Sequence, residues 1–356
     1  MSADPSLKIA LNILDTPDFS FLYLRFSEQN LALNTLAMKL TSLLALMATN
    51  VAISKPTQGK IPAPKLPQLS WNTHTHCFDP ERHPFKSSRS YTPEAAPLKD
   101  LIKQSPADNV MIVQATIEDG YSGLLDTLAK GHEQYPSKQI LGTIFWDPED
   151  SSLKNKTDAE WDRLHKAGVR SVRIHGSYGG SGDDLDWVLE KFVQVATYCP
   201  LERHGWTISA QLPLAMWSKM KDSILDHPKL KGVRIIADHN GSATPEDYET
   251  NQFNDFLALL ETGRFYSKVG ALHRRADDVA LMEPIIKAFA TAAPGGLVWG
   301  SDWPHVNASV KGLEPTPPLE VDTNEELRLL REWLTDDQWE KMFVCNPAQV
   351  FGMGKP

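Results

Sequence analysis

Trp71-Asn72-Thr73-His74-Thr75-His76-Cys77-Phe78-Asp79-Pro80 and, far downstream, Leu297-Val298-Trp299-Gly300-Ser301-Asp302-Trp303-Pro304-His305 decide the fold of this chain. Side chains alternate faces along a strand, so a strand through the first segment turns His74 and His76 to one side and Thr75 and Cys77 to the other. Two imidazoles then share one pocket. The second segment is a short apolar run that ends at Asp302 and is broken by Pro304, the pattern of a buried strand delivering a carboxylate at its C-terminal end. The chain between them must be a scaffold that brings the two ends together.

That scaffold alternates short β-rich runs with longer helical patterns. Strands are expected at Ser70–His76, Asn109–Gln114, Ile140–Phe145, Ser171–His175, Trp206–Leu212, Gly232–Ala237, Phe265–Gly270 and Gly296–Gly300. Helical patterns fall at Leu98–Gln104, Gly123–Tyr135, Asp158–Ala167, Leu185–Cys199, Ala215–Asp226, Gln252–Glu261 and Asp277–Ala292. Strictly alternating strands and helices predict an α/β protein, a parallel (β/α)8 barrel of TIM type. Two further amphipathic patterns, Asn324–Leu334 and Asp336–Cys345, add C-terminal helices expected to close the side of the barrel, with Thr335 and Asp336 as capping residues.

Ahead of the barrel, residues 1–37 show no sustained period and are expected to be a poorly ordered extension. Residues 38–54 carry a basic residue, an apolar run and the small residues Ala52-Ile53-Ser54, the layout of a secretory signal. If translation begins at Met38 the protein is exported; if the longer form is made, the segment is a short helix, an anchor or a remnant and the protein is cytoplasmic. The run falls short of the ~20 apolar residues of a confident membrane span. Pro56, Pro62, Pro64 and Pro67 mark 55–69 as an extended linker, which leaves 70–356 as the barrel domain. The net charge of −9 gives nucleic acid no basic face to bind, so the expected partner is a small molecule, and nothing in the sequence fixes the oligomeric state. Three cysteines with no Cys-x-x-Cys spacing exclude a disulfide framework.

In such a barrel chemistry sits at the C-terminal ends of the strands. Collected there are His74 and His76, Gln114, Arg173 and His175, Gln211, Asp238 and His239, His273 and Arg274, and Asp302 and His305. Asp302 is the candidate general base, since a carboxylate beside histidines can take a proton from water. Its plain alternative is a helix cap or a partner for a histidine. His74 and His76 could hold a metal or polarise a carbonyl, and their plain alternative is a pair of buried, backbone-bonded rings. Of Asp238 and His239, alternation turns one inward, and His239 is the better candidate with Asp238 supporting it. Arg173 ends a β-branched run and reads as a fork for a substrate carboxylate or, failing that, as half of an internal ion pair. Tyr91 and the glycine-rich stretch Gly176-Ser177-Tyr178-Gly179-Gly180-Ser181-Gly182 read as cover for the site.

An ordered set of motifs then carries a resemblance: His74-Thr75-His76-Cys77-Phe78 with Phe85 and Tyr91-Thr92-Pro93, Asn109-Val110-Met111-Ile112-Val113-Gln114, Gly168-Val169-Arg170-Ser171-Val172-Arg173, Asp238-His239-Asn240-Gly241, Trp299 through His305, and Cys345-Asn346-Pro347. Across residues 70–352 the chain resembles the amidohydrolase superfamily, in the amidohydrolase-related branch of 2-pyrone-4,6-dicarboxylate lactonase and the sugar lactonases. The resemblance implies a barrel of the metal-dependent hydrolase kind that opens a lactone or similar ester of a small carboxylated or hydroxylated substrate. Asp302, His74, His76 and His239 would be catalytic. Arg173, Arg274, Tyr91, His175, Gln211 and His305 would bind substrate. No metal, or one divalent ion (zinc or manganese) on His74, His76 and Asp302, completes the expectation. Arg173-Ile174-His175 and Gln211 stand where binuclear relatives carry a bridging lysine or glutamate and a histidine, which speaks against two metals. Gly179 and Ser242 replace arginines of the dicarboxylate lactonases, so a less acidic lactone is expected. The competing functions are non-oxidative decarboxylation of an aromatic or muconate-like acid on the same barrel, and a non-catalytic barrel that binds a small ligand.

Overall fold

The structure, a computed structural model, describes residues 63–147, 150–176 and 183–353. The N-terminal extension, the signal-like segment, the first part of the linker and Ser177 to Gly182 of the glycine-rich stretch lie outside the described residues. Among the described residues no helix is long and apolar enough to cross a membrane.

Eight parallel strands follow one another around a single sheet in chain order. They are β1 (Trp71–Thr75), β2 (Asn109–Val113), β3 (Ile140–Phe145), β4 (Val169–His175), β5 (Thr207–Gln211), β6 (Ile235–Ala237), β7 (Phe265–Val269) and β8 (Leu297–Trp299). The main helices are α1 (Leu98–Gln104), α2 (Ser122–Gln134), α3 (Asp158–Lys166), α4 (Leu185–Tyr198), α5 (Leu214–Asp226), α6 (Asn251–Leu260), α7 (Glu283–Ala292), α8 (Thr323–Trp333), α9 (Asp336–Glu340) and α10 (Asn346–Val350). This is the expected (β/α)8 barrel, nearly closed. β1 and β8 share no regular ladder: the seam is held just past β8, where Asp302 N donates to His74 O at 2.9 Å and His76 N donates to Trp303 O at 2.8 Å. The close approach requires glycine, because a Cβ on Gly300 would stand 2.5 Å from the His74 Cβ.

Local chemistry sets the helix starts. Thr157 and Glu160 form a reciprocal capping box ahead of α3, and Thr335 does the same with Gln338 ahead of α9. The Asp322 side chain accepts from the amides of Asn324 and Glu325 and opens α8. The helix expected over 277–292 begins only at Glu283, after a 3-10 turn at Val279–Met282, because Pro284 suits the first turn of an α-helix and not its interior. The expected C-terminal helix 336–345 is α9 followed by a π turn over Lys341–Cys345 that runs on into α10.

The apolar core has two parts. Between strands and helices lies a continuous layer that includes Phe192, Trp217, Phe253, Phe256 and Phe289, each contributing about 2 kcal/mol or more by leaving water. Leu66 joins that layer, so the barrel domain begins a few residues before Ser70. Inside the barrel Trp71, Met111, Val113, Leu141, Ile236, Tyr266 and Val298 pack together with Val350 and Phe351. The C-terminal tail thus reaches the inner core of the barrel as well as its side. Above this inner layer the strands turn polar groups inward, and the site is built there.

Candidate active site

The inward polar layer begins with a buried ion cluster. Asp238, fully shielded just beyond β6, accepts from Arg173 Nε at 2.9 Å, from Ser209 Oγ at 2.8 Å and from Lys268 Nζ at 3.1 Å. Burial alone would raise its pKa, but Lys268 and Arg173 outweigh it and hold the carboxyl well below the ordinary range. Arg173 Nη2 also donates to Gln211 Oε1 at 3.0 Å. The arginine expected to clamp a substrate carboxylate is therefore tied to the protein by two of its nitrogens, although it lines the cavity, as do Gln211 and His175.

His74 and His76 point to the same side, as alternation requires. Lys268 Nζ lies 3.3 Å from His74 Nδ1, and His74 Nε2 is buried with no hydrogen-bond partner among the described residues, 3.7 Å from Asp302 Oδ1. Burial first, then Lys268, lowers the His74 pKa to about 3, so the ring is neutral. His76 turns its Nδ1 to the Val113 carbonyl at 2.7 Å, which assigns the proton to that nitrogen. In the neutral ring Nε2 is then a lone-pair acceptor, and it faces Asp302 Oδ1 at 3.4 Å.

Asp302 sits on the seam with its two oxygens in different settings. Oδ2 accepts from Arg274 Nε at 2.5 Å, while Oδ1 looks toward His74, His76 and His239. Burial again acts to raise the carboxyl, and Arg274 reverses the sign, holding it well below the usual value. His239 Nε2 is 3.9 Å from Oδ1. Its pKa lies well below normal because the ring is buried.

Alternation was expected to turn either Asp238 or His239 inward. Both reach the site. β6 stops at Ala237, and His239 and Asn240 take left-handed backbone conformations at φ 51° and 60°, which brings the next side chain back to the barrel axis. Asp302 and His305 hold the same region at φ 64° and 65°. Such conformations are costly for residues with a Cβ and persist where the surroundings enforce them, commonly at functional sites.

The metal expectation placed His74, His76 and Asp302 together. The compact set in the structure is His74, His239 and Asp302, whose ligand atoms all lie within 4.8 Å of one another. These residues fit a single cation: two imidazoles and a carboxylate are an ordinary nitrogen and oxygen donor set, and the orphaned His74 Nε2 faces it. Holding a cation on Nε2 needs the His74 tautomer with the proton on Nδ1, the nitrogen that lies 3.6 Å from Asp238 Oδ1 and 3.3 Å from Lys268 Nζ.

His239 and Asp302 open on a cavity of about 280 Å³, the size for one small ring, while His74 lies behind its wall. Its wall includes His76, Tyr91, His175, His239, Arg274 and Asp302 among the expected residues. His305 does not line it; its ring packs edge-on against His273, centroids 5.3 Å apart. Gln114 is structural, accepting from Phe145 N at 2.8 Å and donating to Gly120 O at 2.6 Å.

Sequence reasoning missed Lys268, whose signal was a lone charge two positions after Tyr266 on an otherwise buried strand. It also missed Glu326, buried on α8, whose carboxylate accepts from His273 Nδ1 at 2.8 Å. No local pattern marks that residue, because its partner lies on another element.

Comparison with known proteins accords with this architecture. Along residues 71–353 the chain matches the family model described as amidohydrolase. It is 22% identical over 296 residues to 4-sulfomuconolactone hydrolase of Hydrogenophaga intermedia, across 81% of this chain and 90% of the relative. D-galactarolactone isomerase of Agrobacterium fabrum is 23% identical over 308 residues, across 82% and 94%. Among solved structures, a candidate 2-pyrone-4,6-dicarboxylic acid hydrolase from Pseudomonas putida superposes with a TM-score of 0.60 at 19% identity, across 81% of this chain and 98% of that one. With the family model spanning the whole barrel, the chain belongs to the amidohydrolase family.

Proposed function

We propose that the chain is a hydrolase that opens a lactone ring, with Asp302 Oδ1 as the base that takes the proton of the attacking water. One observation carries this: Asp302 Oδ1 and His76 Nε2, both acceptors when the ring is neutral, face each other at 3.4 Å beside the cavity. A water that donates to both is held and activated where a substrate would lie.

Oxygen of that water adds to the acyl carbon while its proton passes to Asp302. His239 and Arg274, in the cavity wall, are the nearby donors for the carbonyl oxygen as it gains charge. The ring C–O bond then breaks, the departing alkoxide takes the proton back from Asp302, and the product is a hydroxy acid. A divalent ion on His74, His239 and Asp302 would supply Lewis-acid polarisation and a more acidic water. The relative named as a hydrolase of a lactone, 4-sulfomuconolactone hydrolase, supports the ring-opening chemistry.

A panel of lactones read by acid release tests the proposal, with the products identified. A free hydroxy acid supports it. An isomeric lactone with no acid, or carbon dioxide from aromatic acids with no lactone opened, overturns it.

A further inference from the structure

The cavity wall changes character from one side to the other. On the side of β4 to β7 it is polar and charged, with Arg173, Gln211, His239, Arg274 and Arg275. The other side is Phe78 past β1, Ala115 past β2, Tyr91 on the connection between them, and Val306, Ala308 and Leu319 from the segment after β8. Because the strands run in chain order around the barrel, β1 and β2 stand across the axis from β5 and β6. A polar wall thus faces an apolar one.

The apolar wall is built, not incidental. Phe78, Tyr91 and Ala115 belong to a small apolar cluster of their own, on which Val306 and Ala308 pack. Phe78 stacks on His76 with ring centroids 6.0 Å apart and planes 7° from parallel, so this wall begins beside the proposed point of water attack. Backbone bonds fix the rest: Phe78 and Ala96 exchange two at 2.9 Å, Thr316 N donates to Thr92 O at 2.8 Å, and Leu319 N donates to His305 O at 2.8 Å. Val306, Ala308 and Leu319 are only partly buried and keep surface that a ligand can cover. The hydroxyls on this side are those of Tyr91 and Thr116. The charged residues packed behind it, Arg89, Glu118 and Lys311, do not line the cavity. Arg89 Nε donates to Thr92 Oγ1 at 2.7 Å, Glu118 Oε2 accepts from the Ala115 amide at 2.6 Å, and Lys311 Nζ donates to Ala308 O at 2.8 Å.

We propose that the substrate is a lactone with one hydrocarbon edge, whose ring carries a short alkyl, vinyl or aryl group that lies against Val306, Ala308 and Leu319. This rests on the lactone reading and narrows it. The carbonyl and any polar substituent turn to the side of β4 to β7. The three guanidiniums in the wall, those of Arg173, Arg274 and Arg275, come from β4 and the turn after β7, so a carboxylate on the substrate is met there and not across the cavity. A ring hydroxylated all round would press hydroxyls that have left water against carbon, and a sugar lactone is disfavoured for that reason. A cavity of about 280 Å³ limits the substituent to a few carbons beyond the ring.

The test pairs γ-butyrolactones that differ only by methyl in place of hydroxyl, with the full-length protein: α-methyl against α-hydroxy, β-methyl against β-hydroxy, and γ-ethyl against γ-hydroxymethyl. At one ring carbon or more the methyl compound is expected to exceed its hydroxyl partner by about tenfold to a hundredfold in kcat/KM. Val306→Thr and Leu319→Asn put polar atoms into the wall and should each shrink that ratio about threefold or more. A ratio does not depend on how much of a variant is folded. Calorimetry with 3-methylcyclopentanone and 3-hydroxycyclopentanone repeats the comparison without turnover, and the methyl ketone should bind more tightly, with the negative heat-capacity change of apolar burial. Selective binding of the methyl ketone with no lactone opened would refute the hydrolase and leave the hydrocarbon edge standing. Lactone opening with the hydroxyl compound equal or better at every position, a ratio unmoved in both variants, or equal binding of the two ketones would overturn the inference itself.

Discussion

Arg274 Nε donates to Asp302 Oδ2 at 2.5 Å, which leaves Oδ1 as the carboxylate oxygen turned toward His74, His76 and His239. One guanidinium thus orients the base and weakens it at the same time, since a carboxyl held down by a cation accepts a proton less readily. Replacing Asp302 by Asn keeps the shape and removes the base, and the loss in kcat is expected at ~10²–10⁴-fold. Arg274→Gln works in the other direction on basicity: the Asp302 carboxyl rises, and the acid limb of the kcat/KM profile moves to higher pH. Steady-state rates across pH 4 to 9 for both variants, at matched folding, check this: the wild-type limb lies below that window because Asp302 is held well below 3.8, and an Arg274→Gln profile equally flat at its acid end would show that Asp302 is not the group being titrated.

Metal binding separates two histidines that look alike in sequence. His239 belongs to the compact set with His74 and Asp302, and His76 does not. Zinc titrated into metal-free protein is expected to bind at one equivalent, and His239→Gln to weaken that binding by an order of magnitude or more. His76→Gln should bind zinc nearly as the wild type does. Calorimetry and metal analysis after dialysis read the outcome, and equal losses in the two variants would put His76 among the ligands.

The cluster around Asp238 carries a stability prediction. Arg173→Met removes one of two cations from a carboxylate with no access to water, and leaves an acceptor with one fewer donor. Breaking one side of a buried pair costs about 3–5 kcal/mol. Urea unfolding should show a loss of that order, whereas Arg331→Met, at an exposed pair with Asp336, should show little. Comparable midpoints for the two variants would mean that Arg173 is not needed to hold Asp238.

How much of this could be read from the chain follows from what each signal depends on. The strands were legible because apolar runs and β-branched residues recur at regular spacing, and His74, His76 and Asp302 were legible because they end such runs. What escaped was set by tertiary contact or by backbone conformation. Lys268 pairs with Asp238, and Glu326 with His273, across elements that only the closed barrel brings together. His239 was foreseen in the site, but not that Asp238 would reach it as well, because a left-handed turn after β6 sets aside strict alternation. Arg173 was located by its strand position, and the internal ion pair offered as its alternative is present; the partner, Asp238, is what the sequence does not disclose.

Acid should unfold this protein earlier than its carboxylates alone require. His74 and His305 have folded pKa values lowered to about 3 and about 4 from an ordinary 6.5, because both rings are buried. Below 6.5 the unfolded chain binds protons at these positions that the folded chain refuses, so their contribution is complete above that pH and is lost as pH falls toward the folded values. Asp238 and Asp302, held below 3.8, lose their contributions only at still lower pH. Between pH 6.5 and 4 the buried imidazoles therefore dominate, each removing up to about 1.4 kcal/mol of stability per pH unit. Urea midpoints of the metal-free protein at several pH values through that window should fall steadily. His305→Asn should flatten the fall by about one such slope, and an unchanged slope would place the acid sensitivity elsewhere than in the rings behind the cavity.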